Sequence, residues 1–267
     1  MRRFLILSLL AFGTASAAQA DEITLAADVW CPYNCAPGAE RPGYMVEIAA
    51  QAFESAGHKL TYKTMPWARA LADVEAGKLS GALGASPEEA AGLLYPKQPL
   101  AQSRNMLVAR AGDSFAWTSI KSLEPHALGT ILDYSYGSVI DAYIKANIKN
   151  TNRIQVMGGD EPLKGNLRKL LAGRIALTID DANVMAYELA DQKLTEAVRL
   201  VDMGDAPSPL YIAFSPKLPQ SATYAKLLDD TIVKLRASGG LEKILARYGL
   251  HDWETAKPAA SAAGTNS

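Results

Sequence analysis

Strands and helices alternate along this chain in two separate runs, and that alternation limits the possible architectures more than any other feature. In the first run, residues 22–28 read as a buried strand, 44–56 as a helix, 59–64 as a strand, 67–76 as a helix and 79–84 as a strand. The first helix keeps Met45, Ile48, Ala49, Ala52 and Phe53 on one face, and Gly57 stops it. In the second run, strands are predicted at 127–132, 153–157, 175–179 and 198–201, separated by helices at 137–146, 163–171 and 182–192. Residues 210–214 are extended and flanked by proline, and helices at 221–237 and 241–248 follow. Repeated β-α-β units predict mainly parallel sheets with helices on their faces. The chain is therefore read as α/β, with two lobes that face each other across a cleft. Open parallel sheets bind ligands beyond the carboxyl ends of their strands. That places the candidate site on residues 28–34, 65–69, 84–88, 133–138 and 180–183.

Residues 1–20 do not belong to this pattern. Arg2 and Arg3 precede a short apolar run at 4–12, and Ala18-Gln19-Ala20 is a small-x-small cleavage pattern, so the segment reads as a secretory signal. Cleavage would leave Asp21 first, with no cysteine at the junction to carry lipid. No later segment has eighteen consecutive apolar residues, so no direct membrane insertion is expected. Residues 257–267 are small and polar and are read as a disordered tail. Export would put Cys31 and Cys35 in an oxidising compartment, and their turn-rich surroundings favour a local disulfide that fixes the loop. Only His58, His126 and His251 remain as further soft ligands, so no metal and no cofactor is expected. Lys and Arg number 27 against 28 Asp and Glu, which gives no basic surplus for nucleic acid.

Short motifs then fall in a recognisable order. Asp28-x-x-x-Pro32-Tyr33 is followed by Gly43-Tyr-Met-Val-Glu-Ile48, by Leu71 with Gly77-Lys78, and by Leu170-Leu-Ala-Gly-Arg174 with Asp181. Ser238-Gly-Gly-Leu241 and Tyr248-Gly249 close the series. In this order the pieces resemble the amino-acid-type periplasmic solute-binding proteins of ABC transporters, family 3 of the bacterial extracellular solute-binding proteins, over nearly all of residues 22–250. The resemblance implies the two-lobed periplasmic binding protein fold. Lobe 1 would comprise residues 21–104 and 213–256, and lobe 2 residues 105–212 with the hinge strands, the chain crossing near 105–109 and 210–214. It further implies a monomeric, non-enzymatic protein of the periplasm that closes around a small-molecule ligand and presents it to a membrane permease or sensor.

One departure bears on the ligand. The family's amino-acid binders carry Thr-x-x-Arg after the third strand of lobe 1, and that arginine pairs with the ligand carboxylate. Here the stretch is Gly84-Ala-Ser-Pro-Glu-Glu-Ala-Ala91, with Glu89 where the arginine is expected and no arginine from residue 70 through 103. Arg69 is a candidate replacement, or else a surface residue of its helix; Arg104 is a weaker one. Ser135 and Ser138 lead into a helix whose N-terminus favours anions, or they simply cap it. Asp181 matches the family aspartate that pairs with a ligand ammonium, or caps a helix. Trp30, Tyr33, Trp67, Tyr134 and Tyr136 fall on cleft loops and suit apolar or cationic ligand parts, Trp67 resembling the family's stacking aromatic. Asp28, Gly84 and Ser86 complete the candidate binding set. The expected ligand is a small polar solute with an amine and an anionic group, anchored by Asp181 and Arg69. Two other classes remain open: an enzyme on the same fold, similar to cyclohexadienyl dehydratases with Glu88 or Glu89 as proton donor, and an interaction module without a small ligand.

Overall fold

The computed structural model describes residues 20–159 and 161–255. The expected signal, Ala20 apart, and the expected tail lie outside the described residues. Among the described residues, no helix is long and apolar enough to cross a membrane.

The first run forms β1 (Glu22–Ala27), α1 (Tyr44–Ser55), β2 (Lys59–Thr64), α2 (Trp67–Glu75) and β3 (Gly81–Ala85). Two strands follow, β4 (Ala101–Ser103) and β5 (Asn105–Arg110). The second run is β6 (Leu128–Ile131), α3 (Ser138–Asn147), β7 (Ile154–Met157), α4 (Pro162–Leu171), β8 (Leu177–Asp181), α5 (Ala182–Asp191) and β9 (Val198–Asp202). β10 (Ser208–Phe214), α6 (Ser221–Ala237) and α7 (Gly240–Ala246) close the chain.

These strands make two five-stranded sheets, ordered β2-β1-β3-β10-β4 and β7-β6-β8-β5-β9. In each, the β-α-β units give a three-stranded parallel core: β1 pairs with β2 and β3, and β6 with β7 and β8. The other strands are joined by antiparallel ladders, through β10 in the first sheet and β5 in the second. Helices cover both faces. Phe53 of α1, Phe214 of β10 and Tyr224 of α6 form an aromatic contact in the first lobe, with centroids 5.9 to 6.4 Å apart. Trp67, Ala70 and Val74 of α2 pack on the opposite face. In the second lobe, Ile140 and Tyr143 of α3 belong to one cluster, and Leu167, Leu170 and Met185 to another.

The second crossing differs from expectation. The chain leaves the first sheet at Ser103 and enters the second at Asn105, so Arg104 alone connects them. It returns through residues 203–207, because all of β10 lies in the first sheet. The second lobe thus ends ahead of Ser208 and not at 212. Pro209, read from sequence as a flank of the extended stretch 210–214, lies inside the strand. In fact β10 pairs with β4 over Ser208–Leu210 and with β3 only from Tyr211 onward. The Leu210 carbonyl accepts from the Leu100 N–H on the β4 side. Pro209 therefore turns its nitrogen toward the other edge, beyond the last β3 pair, where no ladder bond is lost. β8 also runs two residues later than expected. Its ladder with β5, which pairs Met106 with Asp180 and Asn105 with Asp181, carries it to the end of the aspartate pair.

Candidate functional site

The carboxyl ends of β1, β3, β6 and β8 converge on a cavity of about 590 Å³ between the two sheets, and the hinge residues Ser103, Asn105 and Asp205 also reach it. Asp28 and Trp30 follow β1, Ser86 and Glu89 follow β3, the stretch 134–141 follows β6, and Asp180 stands near the end of β8. This is where parallel strands leave free backbone and side chains beyond the sheet.

Three side-chain hydrogen bonds span the lobes, one of them from the Asn183 amide to the Tyr33 hydroxyl at 3.1 Å. The Trp30 indole donates to Asp180 Oδ1 at 3.0 Å, and the Tyr134 hydroxyl donates to Asp28 Oδ2. Trp30 is itself held by Tyr33, stacked at 4.5 Å between centroids. Tyr33 sits in the loop closed by the Cys31–Cys35 disulfide. A second indole, Trp67, donates to Glu89 Oε1 at 2.8 Å within the first lobe.

Among the described residues six acidic ones line the cavity, namely Asp28, Glu88, Glu89, Asp141, Asp180 and Asp205, and no Lys, Arg or His does. Burial dominates their electrostatics. It pushes the carboxyl of Asp28 up to about 6, against the opposing hydrogen bond from Tyr134. It pushes Glu89 up to about 7, opposed by the Trp67 indole, and Asp180 up to about 7, opposed by the Trp30 indole. Neutral donors hold each of these groups, and desolvation still wins because no cation offsets it.

Most of the expected binding residues meet at this cavity. Asp28, Trp30, Trp67 and Gly84 line it, as do Ser86, Tyr134, Ser135 and Tyr136. Three others are placed elsewhere. Tyr33 is fully buried, its hydroxyl donating to the Gln102 carbonyl at 2.8 Å, so it supports the loop beneath Trp30. Arg69 points to solvent from α2 and pairs with Asp73 at 3.7 Å, one helical turn on. Asp181 is fully buried as the N-cap of α5: Oδ1 accepts from the N–H groups of Asn183 and Val184, and Oδ2 from that of Arg104. Its acceptors are spent on the helix and the hinge, which makes it a cap. Arg104 lies at the hinge, paired with Asp202 at 3.2 Å.

The α3 N-terminus, expected as an anion seat, already has a carboxylate of the chain, Asp141, in its first turn. Asp141 Oδ1 accepts from the Tyr136 N–H at 2.8 Å, and Oδ2 accepts from the Ser135 hydroxyl at 2.6 Å. A carboxylate in the first turn satisfies the helix dipole as an anionic ligand would. Ser135 orients Asp141 and does not cap the helix; Ser138 is its first residue.

Reading the sequence alone did not select Asn34, Asp141, Asp180 or Asp205. A signal did exist for Asp180. Adjacent strand residues face opposite sides, so the Asp180-Asp181 pair at a strand end presents one carboxylate to the cleft when the other caps the following helix.

The family model for bacterial extracellular solute-binding proteins, family 3, matches residues 23–251. No curated protein sequence matches the chain. Among solved structures, a protein from work on glutathione import in Gram-positive bacteria and the cystine importer of Streptococcus mutans is similar at 19% identity. That match covers 88% of this chain and 99% of the other, with a TM-score of 0.72. A histidine kinase sensor domain with similarity to periplasmic binding proteins aligns at 18% identity over 86% and 97% of the two chains, TM-score 0.70. An amino acid ABC transporter substrate-binding protein from Streptococcus pneumoniae, bound to L-arginine, aligns at 18% identity over 85% and 94%, TM-score 0.67. At such identities these structures establish the two-lobed fold alone. With the family model spanning both lobes and the cleft between them, this chain belongs to the bacterial extracellular solute-binding proteins, family 3.

Proposed function

We propose that this protein binds a small cationic solute in the cleft, by closure of its two lobes, and presents it in the periplasm to an ABC-type permease or a membrane sensor. The observation that carries this reading is the lining of the cavity, with six carboxylate side chains and no basic one among the described residues. A positive ligand relieves the desolvation of Asp28, Glu89 and Asp180, whereas an anionic one adds to it. The aromatic faces of Trp30, Trp67 and Tyr134 beside these carboxylates suit a cation. Family membership supports binding followed by delivery. The permease and sensor branches both have precedent among the similar folds, one a transporter protein and one a kinase sensor domain. The amine expected of the ligand is kept, but its anchor moves from Asp181, which caps α5, to the carboxylates that line the cavity. The paired anionic anchor is given up, since Arg69 faces solvent and Asp141 puts a carboxylate in the first turn of α3.

A thermal-shift screen of purified protein, unfolded and refolded to strip carried-over ligand, tests this. Cationic amines should raise the melting temperature by several degrees at concentrations near 100 times the dissociation constant, where binding adds about 2.7 kcal/mol. Stabilisation by dicarboxylates or sugars alone would overturn the reading. A dehydratase-like activity has one observation in its favour, the carboxyl of Glu89 held near 7 inside the cavity. Its anionic substrates would meet the same wall of carboxylates, and incubation with prephenate or arogenate should leave both unchanged.

A further inference from the structure

Resting on the cation-binding reading, we infer that the cleft selects N–H-bearing cations that lack a carboxylate, such as alkyl amines and alkyl guanidines, over α-amino acids, with Asp180 as the residue that reads the donor. Three observations converge. Asp180 is 1% exposed; its Oδ1 accepts from the Trp30 indole and from the Asp181 N–H at 2.7 Å, and its Oδ2 is buried with no donor. A second buried acceptor without a donor, Asn34 Oδ1, lies on another residue of the same cavity, its amide nitrogen spent on the Asp28 carbonyl at 2.7 Å. Buried acceptors of this kind are costly unless a donor arrives. An ammonium or guanidinium entering as the lobes part and reclose brings several N–H groups, whereas a quaternary ammonium brings none.

The third observation concerns the other end of the ligand. An α-amino acid needs a seat for its carboxylate. The position where a clamp arginine would stand holds Glu89, Arg69 faces solvent, and the first turn of α3 carries the carboxylate of Asp141. A ligand carboxylate in this cavity would face only like charges, and such juxtaposition is strongly unfavourable.

Matched pairs that differ by one carboxylate test this: agmatine against arginine and cadaverine against lysine, with choline as the cation without N–H, each titrated into stripped protein by calorimetry. The amines should bind at least about 100-fold more tightly than their amino acids. Choline should bind at least about 10-fold more weakly than the amines. Equal or tighter binding of arginine and lysine would overturn the selectivity and leave cation binding standing. Choline as tight as cadaverine would overturn the role of Asp180. No heat from any of the five would overturn the cation-binding reading as well. Asp180→Asn, its fold checked by thermal melting, should reduce agmatine affinity at least about 100-fold, because a charged acceptor is lost in a desolvated site; unchanged affinity would contradict the assignment. The wild-type pairs carry the test even if that variant misfolds.

Discussion

Asp180→Asn is expected to make the empty protein more stable, by an amount that grows with pH. The Asp180 carboxyl lies near 7 in the folded protein because burial penalises its charge, whereas a free aspartate lies near 3.8. Between those values the native state holds a proton that the unfolded chain has released. Stability therefore falls as pH rises through that window, and the whole penalty is present above it. Each unit of displacement corresponds to about 1.4 kcal/mol, which makes the penalty on the order of 4 kcal/mol at pH 8. Asparagine keeps an acceptor for the Trp30 indole and has no charge to desolvate. The variant should melt close to wild type at pH 4 and roughly 10 °C higher at pH 8, taking 2–4 °C per kcal/mol for a chain of this size. Melting curves at both pH values check it. A constant difference, or a variant less stable at pH 8, would show that Asp180 is not ionised at a penalty. A residue whose removal stabilises the empty protein is one retained for binding.

Gly43→Ala should be strongly destabilising. Gly43 precedes α1 with φ of 105°, a conformation left almost entirely to glycine. A Cβ there would lie 2.4 Å from the Tyr33 carbonyl oxygen and 2.5 Å from Asn34 Cα. Backbone strain of about 1–3 kcal/mol adds to overpacking of similar size, for a loss of about 2–6 kcal/mol. The obstacle is backbone and cannot rotate away. Relief must come from moving the loop that carries Trp30 and Asn34 into the cavity, so ligand affinity should fall as well. Gly38→Ala is the control. Gly38 shares a positive φ of 77° but has open space around it, so only the smaller backbone penalty applies. Chemical denaturation of both variants separates the contributions, and equal losses would contradict the packing argument.

The periodic elements were largely legible in the sequence, since helices such as α6 carry an amphipathic pattern between clear stop signals. The second crossing was not legible, because it depends on which sheet β10 joins, a long-range choice that its proline obscured. The site was legible at the level of loops. Residues after the strands line one cavity, Trp30, Trp67, Tyr134 and Tyr136 among them, whereas Tyr33 is buried beneath Trp30. The anchors were not. Asp181 matches its family motif, but whether an aspartate at a strand end caps a helix or faces a ligand is decided by the direction of one side chain, and β5 pairing sets that register. Arg69 illustrates the same limit: one turn of helix separates cleft from solvent. At the α3 N-terminus the sequence let Ser135 and Ser138 be weighed as caps against ligand binding, and did not single out Asp141, which holds Ser135 and the Tyr136 N–H.

The central claim, an acidic cleft built for a cation, is tested most directly by the protons exchanged on binding. Asp28, Glu89 and Asp180 sit near 6, 7 and 7 when the cleft is empty, and Asp141 is the other carboxylate against them at the α3 end. A bound cation favours their charged forms, so it should expel protons near neutrality, and its affinity should rise from pH 5 to pH 8. Calorimetric titration of agmatine in buffers of different ionisation enthalpy measures both. Net proton release with tighter binding at pH 8 is the predicted result; pH-independent affinity with no proton exchange would contradict it.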